Sequence, residues 1–178
     1  MTKKAVLISI RPKWCEMIAN GKKTVEVRKT RPKLKPPFKC YIYCTQQNRP
    51  YDDFISFVAE DGVIGFFGGG KVIGEFTCAN ILPIGRRGFD HNFDYCYLSL
   101  RDFGNDDIEP YIRAVRESRL SKSDLHNYAK DNPFLYAWHI SDLQVYETPK
   151  ELSEFSLKRP PQSWRYVEGL QGDDHAQK

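Results

Sequence analysis

The residues best suited to chemistry in this sequence lie in one short segment near the N-terminus, residues 21–28 (GKKTVEVR). Glu26 and Arg28 are two residues apart in a stretch where apolar and polar side chains alternate, so a β-strand would project both from one face. A carboxylate and a guanidinium side by side form either a surface ion pair or the polar floor of a binding cleft.

In a cleft, the side chains of this segment would have different roles. Arg28 offers a planar fork of donors that suits a phosphate or a carbonyl edge. Glu26 can accept a hydrogen bond from an exocyclic amine, the group that marks cytosine or adenine, and it can act as a general base if its pKa is raised. Lys23 has the opposite strand parity, so it reaches the same cleft only if a turn at Gly21 redirects it.

Further candidates flank this segment. Ser9 and Arg11 stand at the end of the first predicted strand, and Arg11 either binds phosphate or pairs with an acid of the protein itself. Trp138 and His139 are adjacent in a late strand, so at most one of them faces any cleft. Thr24 shares the face of Glu26, but the spacing of these residues does not define a nucleophile with its base.

The charge distribution is compatible with nucleic-acid binding without requiring it. The formal net charge is +4 among 178 residues. Within residues 22–39, eight cations stand against the single acid Glu26, and part of this segment is a proline-rich loop, residues 31–37. Such a loop is well composed for nonspecific phosphate contacts.

Cysteines and histidines do not predict a metal site. The chain has five cysteines, an odd number, with no CxxC pair, and its four histidines lack ligand spacing. We therefore expect buried reduced thiols, no metal and no cofactor. The apolar run before Ser9 is too short for a signal peptide or a membrane span, so we expect a cytoplasmic protein with no membrane partner.

The pattern of elements predicts an α+β fold. Strands are expected at residues 5–10, 24–29, 39–45, 63–67, 71–78 and 134–146, and helices at 13–20, 108–118 and 121–130. Residues 63–67 and 71–78 are expected to pair as a hairpin across three glycines, whereas 46–61 is either a long loop or a short helix around 54–58. Ser121 and Asp124 match a capping box.

The simplest architecture for this order is a small closed or half-closed β-barrel of about five to seven strands, with helices at its mouth. We expect one domain over residues 1–155 with a helical insertion near 108–130. Residues 156–178 would form a C-terminal arm that packs back on the body and ends in a frayed tail.

The motif Gly-x-Lys-x-x-Glu-x-Arg of residues 21–28, preceded by a strand and a short helix, resembles the ASCH family, which belongs to the PUA-like β-barrel group. The late strand 136–140 (YAWHI) is a second match, and the size of the chain resembles the larger members found in bacteria and phages. The resemblance implies a cleft beside the first helix that is lined by Lys23, Glu26 and Arg28. With this context we favour the cleft over the surface ion pair.

The resemblance also implies a class of ligand, namely RNA or modified nucleosides. Some small members resemble amidohydrolases that act on N4-acetylcytidine, with a lysine at the position of Lys23 and a threonine nucleophile where this chain has Glu26. A carboxylate cannot simply replace that hydroxyl nucleophile.

Three hypotheses follow from the sequence. The first is an RNA-binding or nucleoside-binding module whose ligand contacts are Ser9, Arg11, Lys23, Glu26, Arg28 and His139. The second is a hydrolase of the same cleft, either an amidohydrolase or a ribonuclease, with Lys23, Thr24 and Glu26 as catalytic candidates. The third is a regulatory protein that contacts a protein partner through its C-terminal arm. Whether the chain is an enzyme stays open at this stage.

Overall fold

The computed structural model of the protein describes residues 3–47, 54–59, 62–85 and 109–170. The strands are β1 (Lys4–Ile10), β2 (Val25–Arg28), β3 (Phe38–Cys44), β4 (Phe54–Ala59), β5 (Gly62–Phe67), β6 (Val72–Gly85), β7 (Phe134–Lys150) and β8 (Trp164–Glu168). The helices are α1 (Pro12–Ala19), α2 (Glu109–Glu117) and α3 (Lys122–Ala129), and a 3₁₀ helix covers Leu152–Phe155. The expected frayed tail, residues 171–178, lies outside the described residues.

The strands form two sheets, with orders β2-β7-β6-β3-β1-β8 and β4-β5. The α+β class is therefore confirmed, and the six strands of the larger sheet match the number expected. By contacts the chain divides into a first unit (Met1–Gly21, Pro37–Thr77 and Ser141–Lys178) and a second unit (Lys22–Pro36 and Cys78–Ile140). The domain boundary expected near residue 155 stays a prediction.

The first unit is built around β1. This strand pairs in parallel with β3, and α1 supplies the crossover that a parallel pair requires. On its other side β1 pairs antiparallel with β8, and six of its seven residues are buried. A strand covered on both faces reads as a continuous apolar run, which explains the sequence AVLI here. The C-terminal arm therefore pairs with the first strand through β8.

The hairpin expected between residues 63–67 and 71–78 is wrong. β5 pairs with β4 instead, with Val58 opposite Val63 and Phe54 opposite Phe67, whereas β6 belongs to the larger sheet. Gly74 explains the position of β6, because a Cβ at this glycine would stand 2.5 Å from the main-chain oxygen of Gln144. The ambiguous stretch 54–58 is consequently a strand and not a short helix.

The second unit positions the candidate site. β2 pairs antiparallel with the first part of β7, and helices α2 and α3 complete a core with Val25, Val27, Leu125 and Ala137 among its buried members. The capping box at the start of α3 is confirmed. The Asp124 main-chain N–H donates to Ser121 Oγ, and the Ser121 N–H donates to the Asp124 carboxylate.

Candidate functional site

Lys23, Glu26 and Arg28 form one ionic cluster in the second unit. Glu26 Oε2 lies 3.3 Å from Lys23 Nζ, and Glu26 Oε1 lies 3.0 Å from an Arg28 terminal nitrogen. Glu26 therefore bridges the two cations with its two oxygens. Glu26 and Arg28 project from one face of β2, as the alternation of the sequence predicted.

Lys23 reaches the cluster because it precedes β2 rather than forming part of it. Gly21, with φ +65°, turns the chain after α1, which is the redirection that the sequence reasoning required. The Lys23 ammonium also donates to the main-chain oxygen of Ser118 at 2.6 Å. Ser118 directly follows α2, so the ammonium lies at the negative end of that helix.

The motif does not predict the residues that anchor Lys23. Thr24 N–H donates to the Glu117 carbonyl at 3.3 Å, and Arg119 Nε donates to the Lys22 carbonyl at 2.5 Å. Together with the Ser118 contact, these bonds fix the segment before β2 to the end of α2. They join residues more than ninety positions apart, and the spacing of the motif carries no signal of them.

The cluster is nearly closed to water, and this closure perturbs Lys23. The exposed fractions are 2% for Lys23, 7% for Glu26 and 8% for Arg28. Burial lowers the pKa of Lys23 below its ordinary value, and the attraction of Glu26 offsets only part of this shift, while Arg28 adds to it. The cluster contains two basic side chains against one carboxylate, so its chemistry favours an anionic or electron-rich ligand group.

Aromatic residues of β7 lie opposite the cluster. In the β2–β7 register, Glu26 faces Trp138 and Arg28 faces Tyr136. Residues directly opposite in an antiparallel pair share a face, so these rings lie on the same side as the cluster. The Arg31 guanidinium lies over the Tyr136 ring, 5.7 Å from its centre. This side of the second unit therefore combines cations with aromatic rings.

His139 lies on the other face of the same ladder. It stands opposite Val25, whose side chain belongs to the apolar core, whereas Trp138 shares the face of Glu26. Partial burial lowers the pKa of His139, and Glu117 and Arg113 act on it in opposite directions. Within the described part of the chain, its Nε2 is buried without a hydrogen-bond partner. A ligand role for His139 stays a prediction.

Ser9 and Arg11, the other expected ligand contacts, belong to the first unit. Ser9 Oγ donates to the Pro161 carbonyl at 2.6 Å, so its hydroxyl holds the C-terminal arm. Arg11 is exposed and stands at the N-cap position of α1. Their place in a binding site stays a prediction. The half-buried Thr24 is tied through its main chain to Glu117 and Ile140.

The described residues hold no group of three or more His, Cys, Asp or Glu side chains that could bind a metal ion. Cys15, Cys40, Cys44 and Cys78 are buried and form no disulfide among the described residues, in agreement with the expectation of buried thiols. None of the helices within the described ranges is long and apolar enough to cross a membrane.

Comparison with known proteins relates this fold to one family. The family model described as the ASCH domain matches residues 8–84. No curated protein matches the chain. The crystal structure of ASCH from Zymomonas mobilis is similar, with 21% identity, 92% of this chain and 87% of that chain covered, and a TM-score of 0.59.

Crystal structures of two mutants of the Zymomonas protein are similar to the same degree. A tyrosine-to-phenylalanine mutant has 21% identity and a TM-score of 0.60, with 93% of this chain and 91% of that chain covered. A serine-to-alanine mutant has 21% identity and a TM-score of 0.59, with 92% and 88% covered. At this level of identity the solved structures establish a shared fold.

Proposed function

We propose that this chain, whose residues 8–84 match the model of the ASCH domain, binds RNA or a modified nucleoside at the Lys23–Glu26–Arg28 cluster. The observation that carries the proposal is the cluster itself, in which one carboxylate lies between two basic side chains on a face shared with Trp138 and Tyr136.

The roles of the side chains follow from their chemistry. Arg28 directs a planar fork of donors, which suits a phosphate or the carbonyl edge of a base. Glu26, held between two donors, accepts hydrogen bonds and suits an exocyclic amine. The half-buried ring of Tyr136 offers a stacking surface, the usual means by which proteins hold unpaired RNA bases.

The basic segment supports RNA over a small nucleoside alone. Arg31 is exposed beside Tyr136, and Lys33 and Lys35 follow it in the same loop. Cations along such a segment contact successive phosphates and make binding dependent on salt. A single nucleoside without phosphates would gain nothing from them.

Fluorescence anisotropy with a labelled single-stranded RNA of mixed sequence tests the proposal. We expect Arg28→Ala to weaken binding about tenfold, as loss of one charge-assisted contact does. Raising the salt from about 50 to about 200 mM should weaken wild-type binding. The logarithm of the affinity should fall with the logarithm of the salt concentration, with a slope of about 0.7 per phosphate contacted.

Lys158→Ala is the matched control, since it removes one positive charge from an exposed position in the first unit. Its effect should stay within about twofold. Circular dichroism of each variant separates lost binding from lost folding. Absent binding, or binding that ignores salt, would refute the proposal, and equal losses in Arg28→Ala and Lys158→Ala would assign binding to diffuse charge.

A hydrolase is the second candidate function, and the buried amine of Lys23 favours it. Burial lowers the pKa of Lys23, which favours the neutral amine, the form that acts as a base or nucleophile. Glu26 Oε2 lies 3.3 Å from this amine and can orient it. The substrate would be an acylated nucleoside or an RNA phosphodiester.

Product analysis by liquid chromatography, with N4-acetylcytidine and RNA as substrates, tests this candidate. Turnover should vanish in both Lys23→Ala and Glu26→Gln, while RNA binding persists in at least one of them. If wild-type protein binds RNA but leaves both substrates intact, the hydrolase is excluded and the binding function is kept.

A further inference from the structure

The hairpin of β4 and β5 carries an apolar face that the rest of the described protein leaves exposed. The exposed fractions are 47% for Phe54, 73% for Val58, 75% for Val63 and 61% for Phe67. In the register of the hairpin these four residues form two cross-strand pairs on one face, which we call the hairpin face. Contiguous exposed apolar residues of this kind mark interaction surfaces.

The opposite face of the hairpin is buried at two positions of β4. Ile55 is fully buried and Phe57 nearly so. A Cβ added at Gly68, just after β5, would touch Ile55 and Ile73, which shows how closely the chain packs there. The hairpin is therefore anchored on one side, and the exposure of the other side is not a sign of a detached element.

The outer edge of β4 is already closed by helix α1 through the side chains of Glu16 and Asn20. Asn20 Nδ2 donates to the Ser56 carbonyl at 2.8 Å, and Val58 N–H donates to Asn20 Oδ1 at 3.3 Å. Ser56 N–H donates to Glu16 Oε1 at 3.3 Å. Side chains that satisfy an edge in this way prevent another strand from pairing there.

The outer edge of β5 has no such cover among the described residues. Since Ser56 and Val58 turn their main-chain groups away from β5, antiparallel geometry turns those of Gly65 and Val63, directly opposite, away from β4. The main-chain groups of Phe67 also turn away from β4, because the direction of these groups alternates along the strand. None of the hydrogen bonds between described residues reaches the outward N–H groups of these three positions.

The composition of the hairpin selects the occupant. The twelve residues of β4 and β5 include no charged residue. A strand edge without cations does not attract phosphates, so nucleic acid does not fit it. An uncharged apolar edge accepts another strand of the same composition, and a two-fold axis allows one patch to serve both partners.

We infer that β5 pairs antiparallel with β5 of a second copy of this chain. The outward groups define the register: Gly65 lies opposite Gly65 of the second copy, and Val63 lies opposite its Phe67. The two hairpins then form one four-stranded sheet with a continuous apolar face. The hydrogen bonds between the two β5 strands satisfy the main-chain groups of the open edge. Two strands alone are marginal in water, and four strands are not.

The glycine at the axis fits this arrangement. A Cβ at Gly65 would collide with the Phe54 ring, so that ring already covers the glycine on the hairpin face. Phe54 in turn contacts Phe67 edge to face, with ring centres 5.3 Å apart. The aromatic pair of each copy would lie next to that of the other, across the axis.

Analytical ultracentrifugation of the whole chain over a range of concentrations tests the inference. We expect a monomer–dimer equilibrium. Val63→Lys should weaken it about twenty-five-fold, because about fivefold is lost for each of two symmetric Val63–Phe67 contacts. Hydrogen exchange should show that the Val63, Gly65 and Phe67 amides gain protection as the dimer forms.

Val58→Lys is the matched control. It introduces the same charge on the same face, directly opposite Val63 and equally exposed, but on the strand whose edge α1 closes. Its dimer should weaken by less than about tenfold. A wild-type chain that is monomeric at every concentration would overturn the inference. Equal weakening by both variants would also overturn it, because the copies would then meet face to face and not edge to edge.

Discussion

Glu26 has a larger share in stability than either cation that it bridges, and substitution at the cluster tests this asymmetry. Glu26→Gln removes the one carboxylate and leaves Lys23 and Arg28 buried together. Lys23→Met instead removes one buried cation and leaves the Glu26–Arg28 pair, with its 3.0 Å separation, in place. The two substitutions are similar in size and differ in which charge stays behind.

The separations give the scale of the effect. At an effective dielectric constant of about 20, each of the two contacts of Glu26 is worth about 5 kcal/mol of gross attraction, which desolvation largely offsets. Removing the bridging partner of a buried pair typically costs about 3–5 kcal/mol. Lys23→Met should cost about 1–2 kcal/mol, chiefly because the Ser118 carbonyl loses its donor.

Urea unfolding at pH 7, followed by circular dichroism, measures both values. The Arg113–Glu117 pair, 2.7 Å apart with the arginine side chain 68% exposed, is the control, and Arg113→Gln should cost far less than Glu26→Gln because exposed ion pairs contribute little. Because the pKa of Lys23 is lowered, the unfolded chain binds that proton more readily. Wild-type stability relative to Lys23→Met should therefore rise as the pH rises towards 10.5.

An equal cost of Lys23→Met and Glu26→Gln would contradict this asymmetry. In that case the ammonium would be a net stabiliser, and its burial would not carry the desolvation penalty that its lowered pKa indicates.

Two further predictions concern His139 and the glycines. His139 has a lowered pKa, so below about pH 6.5 the unfolded chain takes up a proton that the folded chain resists. The free energy of unfolding should therefore fall as the pH falls. His139→Phe should flatten this part of the pH profile of stability. Gly21→Ala should cost about 1–2 kcal/mol, because φ is +65° with open space around the new methyl group. Gly74→Ala should cost more, because its methyl group would meet the backbone of β7. Thermal unfolding compares the two variants, and equal costs would contradict the close approach at Gly74.

Local patterns in the sequence predicted most of the elements. The alternation of residues 24–29 placed Glu26 and Arg28 on one face, and the Ser121–Asp124 spacing marked the start of α3. These features depend on neighbours in the chain, so a sequence contains them directly.

Long-range partners account for what the sequence could not predict. The three-glycine turn after β5 favoured pairing of β5 with β6. Instead, β6 packs beside β7, where Gly74 allows close approach, and β5 pairs with β4. The acceptor that holds Lys23 is the main-chain carbonyl of Ser118, a group that every residue type carries, so no residue type in the sequence could predict it. Where partners are main-chain atoms of distant segments, the pattern of side chains carries no information.

The central place of β1 has a consequence for synthesis of the protein. β1 is flanked by β3 on one side and by β8 on the other, and Lys4 lies opposite Glu168. At about 5–20 residues per second, the ribosome delivers that last strand roughly 8–30 s after the first. Throughout this interval the edge of the apolar strand β1 that pairs with β8 lacks its partner. The nascent chain should therefore depend on chaperones until β8 emerges.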